Sequence, residues 1–446
     1  MMSLRTAARQ LAARETSSRA LTEACLAAVE RPDGEGARVF RRVDREAALS
    51  QADAMDRLRA AGAAPSPWAG LPLSIKDLFD LQGQVTAAGS RLLTTQEPAR
   101  ADAPAIARLR QAGFVFVGRT NMTEFAFSGL GLNPHYGTPK NPYARAESRI
   151  PGGSSSGAAV SVTDAMALAG IGSDTGGSCR IPAAFCGITG YKPTQSRVPL
   201  EGCVPLSYSL DSIGSLAPSV DCCAILDGLM ASETAGPAAP RELTGLRLAV
   251  LTNYVLEQME PAVVEAYQAS LTCLSTAGAT LSDLTLPDLE GLPGLNAKGG
   301  LAAAEALHWH RAHLERAEAL YDPRVSSRIR RGSEQSAVDY LDLLEARRAM
   351  IAKTAAATRG FDGVIFPTVP IVAPRMSDLS SDADYLRVNL LALRNSTVAN
   401  YLDRCAISLP LPVETAPVGL TIMGSHLGDR DLFAVARAVE AALAAS

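Results

Sequence analysis

The sequence predicts an α/β fold in one unit, with a central mixed β-sheet covered by helices on both faces. Three observations lead there. Short apolar segments of strand length alternate with longer Ala/Leu/Arg-rich segments of helical length. No internal repeat and no low-complexity tail interrupts the pattern. At 446 residues, 47% hydrophobic and 20% charged, the chain has enough apolar material for a large core.

Taken in order, residues 4 to about 62 read as helix, broken by a Pro/Gly turn at Arg31–Gly36. Leu4 and Leu11, seven residues apart, mark one face of a surface helix. Ala61–Trp68 is a connector. Leu71–Ile75 (LPLSI) is a short buried strand ending at Lys76-Asp77. A helix over Asp102–Gly113 leads into a strand at Phe114–Val117. The stretch Arg149–Arg180 carries two Gly/Ser turns, PGGSSSG and SDTGGS. Between them lie a helix at Ser156–Met166 and a strand at Ala167–Ile171, and Ile181–Cys186 starts another helix. After a connector at Ala235–Pro240 come one strand, Leu246–Leu251, and a helix over Pro261–Ala277. Two Ala/Leu/Arg-rich segments follow, Ala302–Leu320 and Ser336–Arg359, read as a helical excursion across the sheet. Strands return at Gly363–Val369, Ala406–Leu411 and Val418–Met423, and the helix Asp431–Ala445 closes the chain. The expected organisation is N-terminal helices over 1–65, a core over 66–230, the mainly helical excursion over 231–360, and the rest of the core sheet over 361–446.

A formal charge of −4 gives no electrostatic footprint for nucleic acid or an anionic membrane. No run of 18 apolar residues is present, so no membrane span is expected. The eight cysteines form no CxxC and no disulfide framework, and adjacent Cys222 and Cys223 fit buried small hydrophobes. The N-terminal stretch lacks the apolar core of a secretory signal, and a reducing cytoplasm is the simplest expectation.

Several familiar constellations fail on context. His308, His310 and His313 share one helical stretch, but only His310 and His313 are neighbours on a helix. No HExxH or Cys partner accompanies them, so no metal site is expected. There is no P-loop and no Rossmann fingerprint. Gly153–Gly157 matches GxSxG with Ser155 as nucleophile and His426 in the right order. That elbow requires an apolar strand directly before it, and Asn141–Arg149 reads as loop.

The two turns themselves point to chemistry. PGGSSSG opens a helix, where backbone N–H groups face outward. In the second turn Gly176 and Gly177 lack a Cβ, so the backbone can approach a substrate closely and its N–H groups can hold an oxyanion. Ser154 and Ser178, 24 residues apart, are the candidate serines. A serine nucleophile needs a base, and a lysine can serve if it is neutral. Free lysine titrates at about 10.4, so only about 1 in 2,500 is neutral at pH 7 and burial has to shift it. Lys76, at the end of LPLSI, is placed for burial, although spacing alone does not single it out.

The strings LPLSIKD, PGGSSSG and GSDTGGSCRIPAAFCGITGYKPT, in that order, resemble the amidase signature family. The resemblance runs from about residue 65 to 225 and resumes over about 363–445. It implies a Ser–cis-Ser–Lys triad: Ser178 as nucleophile, Ser154 as bridging serine with a cis peptide bond before it, and Lys76 as base. Thr175, Gly176, Gly177 and Ser178 match the oxyanion-hole stretch. Asp174 and Arg180 flank the nucleophile as braces, with Arg180 alternatively meeting an anionic group of the substrate. Ser155 and Phe125 are further candidates for support or substrate contact.

The implied activity is hydrolysis of a small-molecule carboxamide, with no metal or organic cofactor. A homodimer is left open. The alternatives are a carbamate or urea-type C–N hydrolase, the glutaminase-type A chain of a tRNA-dependent amidotransferase, and a non-catalytic binding protein. FAFSGLGLNP (Phe125–Pro134) differs from the amidotransferase pattern, whereas AAFCGITG and NPHYGT are similar to aryl-acetamide hydrolases. The chain departs from the family in Ser155-Ser156-Gly157 after the first Ser and in Cys179, read as a packed small residue. It also lacks a glycine within Ser408–Pro412. Glu124–Tyr136, Leu200–Tyr208 and the helical region 296–360 are expected to shape the pocket.

Overall fold

The computed structural model describes residues 1–233, 238–239, 241–413 and 416–445. The connector expected at 235–240 falls mostly outside them. Among the described residues the strands are β1 Phe40–Val43, β2 Pro72–Lys76, β3 Val115–Thr120, β4 Ala169–Ser173, β5 Thr189–Lys192, β6 Ile213–Ala217, β7 Arg247–Leu251, β8 Thr280–Leu284, β9 Gly363–Pro367, β10 Ala406–Pro410 and β11 Gly419–Met423. They join in one mixed sheet in the order β1-β3-β2-β4-β6-β5-β10-β11-β9-β7-β8.

The part of the sheet that matters for the site is its parallel block. β2 pairs in parallel with β3 (Lys76 opposite Thr120) and with β4 (Ile75 opposite Ile171). The C-terminal ends of the three strands therefore emerge along one edge, carrying Lys76, Thr120 and Ser173. Both faces of β2 and β4 are covered, and every residue in them is buried, as a parallel block with helices on either side requires. Gly170 in β4 lets the helix Ser156–Thr163 lie close: a Cβ there would sit 3.0 Å from the Ala158 Cβ.

One apolar cluster links Leu73 and Ile75 of β2, Ile171 of β4, Ile407 of β10 and Ile422 of β11. The closing helix Asp429–Ala444 adds Leu432, Val435, Val439 and Leu443, spaced as one helical stripe. The N-terminal helix Leu4–Ala12 is capped by Ser3, whose Oγ accepts from the Thr6 N–H at 3.1 Å. Its Leu4–Leu11 stripe is not solvated surface but docks in this same cluster. Cys222 and Cys223 are buried and free.

The excursion over 231–360 differs from expectation. It holds a second strand, β8, parallel to β7, and both extend the sheet at its edge through β9. Strands β1, β5 and β6 and the helix Asp382–Tyr401 were also not predicted. Among the described residues no helix is long and apolar enough to cross a membrane.

Candidate active site

Lys76 is wholly buried at the end of β2. Its Nζ donates to Ser154 Oγ at 2.7 Å and to Ser173 Oγ at 2.9 Å. Burial pushes the amine down to about 8, against the opposing charges of Asp174 and Asp211. Ser173, the last residue of β4, carries no sequence signal and was missed. Ser154 follows a cis peptide bond from Gly153. The backbone is held on both sides of that bond. Gly153 N–H donates to the Gly129 carbonyl at 2.8 Å, and the Ser154 carbonyl accepts from the Thr123 N–H at 3.1 Å. A Cβ on Gly153 would lie 2.5 Å from the Gly131 nitrogen, so only glycine fits.

The second turn is built around Asp174. Its carboxylate accepts from the N–H groups of Gly177 (2.8 Å) and Cys179 (3.1 Å), from Arg180 Nε and Nη2 (3.1 and 3.0 Å) and from Asn400 Nδ2 (2.9 Å). Burial alone would raise this carboxyl, but the Arg180 charge and these hydrogen bonds hold it well below the usual carboxylate range. Ser396 Oγ donates to the Gly176 carbonyl at 2.7 Å, and Thr397 Oγ1 to the same oxygen at 3.3 Å. The planar Gly176–Gly177 peptide thus turns its oxygen to the helix Asp382–Tyr401 and its N–H to Asp174. This corrects one expectation: the Gly177 N–H is already committed. Among the described residues the N–H groups of Thr175, Gly176 and Ser178 make no hydrogen bond. Thr175 Oγ1 donates to Asp211 at 2.6 Å. The Ser155 N–H donates to the Ser178 carbonyl at 3.2 Å, which ties the two turns together.

Ser178, Thr175 and Gly176 lie in the wall of a cavity of about 1410 Å³. Leu206 comes from a segment expected to contribute. Tyr254, Glu257, Leu390 and Leu393 come from segments that were not. Phe125 is displaced from the expected role. It is buried against His310 (ring centroids 4.4 Å apart), Tyr321 (5.3 Å) and Trp309 (6.0 Å), and its neighbours Ala126 and Phe127 reach the cavity instead. Positive φ values at Phe125 (50°) and Ala126 (59°) make that reversal. Arg180 is fully buried against Asp174 and Asn400, so of its two expected roles it takes that of brace. Ser155 starts the helix Ser156–Thr163 and its Oγ donates to the Ser173 carbonyl at 3.3 Å, while His426 Nδ1 turns to the Asp403 carbonyl at 2.9 Å. Cys179 is buried, which raises its thiol to about 12.

A family model for amidases matches residues 20–433. The chain belongs to the amidase family. Among its amidase-family relatives, a 2-amino-5-chloromuconic acid deaminase of Comamonas testosteroni is 37% identical, over 99% of this chain and 96% of the relative. The A chain of the glutamyl-tRNA(Gln) amidotransferase of Cupriavidus metallidurans is 32% identical over the same shares, 99% and 96%. A crystal structure of an amidase superposes with a TM-score of 0.90 at 31% identity, covering 99% of this chain and all of the other. The α/β fold with its mixed sheet is that of the amidase structures.

Proposed function

We propose that this amidase-family hydrolase cleaves a small carboxamide through an acyl-enzyme on Ser178. Neutral Lys76 takes the proton of Ser154, which takes that of Ser178 as its Oγ adds to the amide carbonyl carbon. The uncommitted N–H groups at Gly176 and Ser178, with Thr175 beside them, hold the oxyanion. The C–N bond then breaks. The proton on Lys76 returns through Ser154 to the leaving nitrogen, and ammonia or an amine departs. Water adds to the Ser178 ester, gives a proton to the same relay, and the carboxylic acid leaves with Ser178 restored. One observation carries this reading: a wholly buried amine whose hydrogen-bond partners are two hydroxyls, one of them Ser154.

The test is labelling with a fluorophosphonate. Ser178→Ala is expected to abolish both labelling and amide hydrolysis, and Ser155→Ala to retain both. The reverse pattern favours the GxSxG elbow, and an unlabelled parent protein favours a binding protein. The relation to the A chains of amidotransferases favours a second reading, a glutaminase working with partner proteins. Ammonia release from simple amides by the purified chain alone removes it. Carbamates and ureas offer Ser178 a similar carbonyl. A panel of aliphatic, aryl, carbamate and urea substrates, with an unsaturated amino acid of the kind named for the Comamonas relative, sorts the classes.

A further inference from the structure

The turn that ends at Ser178 has a second anchor besides Asp174. Asp211 is buried just before β6, and its carboxylate gathers three donors. Oδ1 accepts from Thr175 Oγ1 at 2.6 Å, and Oδ2 accepts from the N–H groups of Leu206 at 2.9 Å and Ser207 at 3.1 Å. Among the described residues no cation pairs with it. Burial pushes the carboxyl up to about 6 against these three hydrogen bonds, and the Glu305 charge adds to the rise. At pH 7 the carboxylate, an acceptor only, still prevails.

The residues it holds are exposed to space on two sides. Thr175 and Leu206 lie in the wall of the large cavity with Ser178. The same two residues, with Asp211 and Ser173, also line a second pocket of about 120 Å³. They form a thin partition between two spaces, and a partition with few atoms on either side gains little from packing. Hydrogen bonds have to fix it. The Asp174 carbonyl accepts from the Ser212 N–H at 3.2 Å, from Ser212 Oγ at 2.8 Å and from Asn400 Nδ2 at 3.1 Å. In a planar trans peptide the N–H points opposite to the carbonyl, so the Thr175 N–H is turned away from Ser212 and Asn400. The Thr175 side chain is the remaining freedom, and Asp211 takes it. A hydroxyl bound to a carboxylate at this distance is charge-assisted, roughly twice as strong as a neutral pair.

We propose that Asp211 is a positioning residue for the oxyanion site: through the Thr175 hydroxyl it fixes the Thr175 N–H for the oxygen of the carbonyl that Ser178 attacks, and through Leu206 and Ser207 it holds the adjoining wall. This rests on the hydrolase reading above.

The experiment measures the rate of fluorophosphonate labelling of Ser178 in the full chain, a reagent whose P=O oxygen gains charge as the serine adds. Thr175→Val is expected to lower the maximal labelling rate by about 10–10²-fold, short of the roughly 10²–10³ lost with a whole oxyanion donor, with the half-saturating concentration nearly unchanged. Thr175→Ser keeps the hydroxyl and is expected to recover most of that loss. Asp211→Asn is expected to slow labelling at least as far. The double variant Asp211→Asn/Thr175→Val should fall no further than Asp211→Asn alone, because both act through one hydrogen bond. Losses that multiply in the double variant overturn the inference. So does a Thr175→Ser as slow as Thr175→Val, or a Thr175→Val that labels at the parent rate. If Asp211→Asn does not fold, the two Thr175 variants decide. Each of these results leaves labelling at Ser178, and with it the hydrolase reading, intact. A parent protein that does not label at Ser178 overturns both.

Discussion

Lys76 and Lys192 invite comparison. Both are wholly buried, both end a strand, and burial pushes both amines down to about 8. Their partners separate them. Lys192 Nζ donates to the carbonyls of Pro193 at 2.7 Å and Arg404 at 2.9 Å, which accept and never give. Lys76 donates to two hydroxyls, and a hydroxyl can reverse its direction once the amine is neutral. A lowered pKa therefore records burial in both places. Whether a proton can move is decided by what the nitrogen touches.

The largest expected effect tests that distinction directly. Lys76→Met is expected to lower kcat/KM at pH 7 by about 10²–10⁴-fold, the usual worth of a general base, while Lys192→Met still labels at Ser178. Equal losses of activity in the two variants break the comparison. Next in size is Asp174→Asn. It leaves the Arg180 guanidinium buried without a counter-ion, at a cost of about 3–5 kcal/mol in denaturant unfolding. The Asp174 charge also supports the ammonium form of both lysines, so both should titrate lower in this variant. Lys192→Met comes third, leaving two buried carbonyls unpaired at about 1–3 kcal/mol each, read by urea unfolding.

The smallest effect is on pH dependence. In the proposed relay the working form of Lys76 is the neutral amine, so kcat/KM should rise with pH through about 8. Ser173→Ala removes an acceptor that favours the ammonium, so the rising limb should move to lower pH, by under about one unit. A limb that stays or moves up contradicts the assignment. The stability sign agrees. Between about 8 and about 10.4 the unfolded chain binds more protons than the folded one, so stability rises with pH across that window. Each Lys→Met variant should flatten that rise.

The elements legible in the sequence are those with strong local signals. LPLSI read as a strand because it is short, apolar and followed by Lys-Asp, and the Gly/Ser turns read as ligand-facing because they adjoin apolar segments. β5 and β6 were missed because their Gly and Ser residues weaken the strand signal. Their glycines serve packing: a Cβ on Gly214 would lie 2.0 Å from the Tyr191 carbonyl oxygen, and one on Gly190 2.5 Å from that of Cys179. The helix Asp382–Tyr401 was missed for a related reason. Much of its buried face is polar, with Asn389, Asn395, Ser396 and Asn400 bonded to loops from far along the chain. Such a face carries no apolar period. The triad candidates were found through long motifs. Ser173 was not, because a lone serine has no signal until the fold supplies its neighbours.

That helix has a consequence for changing the enzyme. Leu390, Leu393, Arg394 and Thr397 face the cavity, while Ser396 and Asn400, interleaved with them, hold the Gly176 carbonyl and Asp174. On the proposed reading, one helix therefore serves substrate choice and turnover together. A change at 393 or 397 is therefore expected to disturb the Ser178 turn as well, directly at Thr397, whose Oγ1 also donates to the Gly176 carbonyl. In a laboratory selection, new substrate range won on this helix will arrive with slower chemistry, and recovery will be found at 396 and 400 rather than in the pocket.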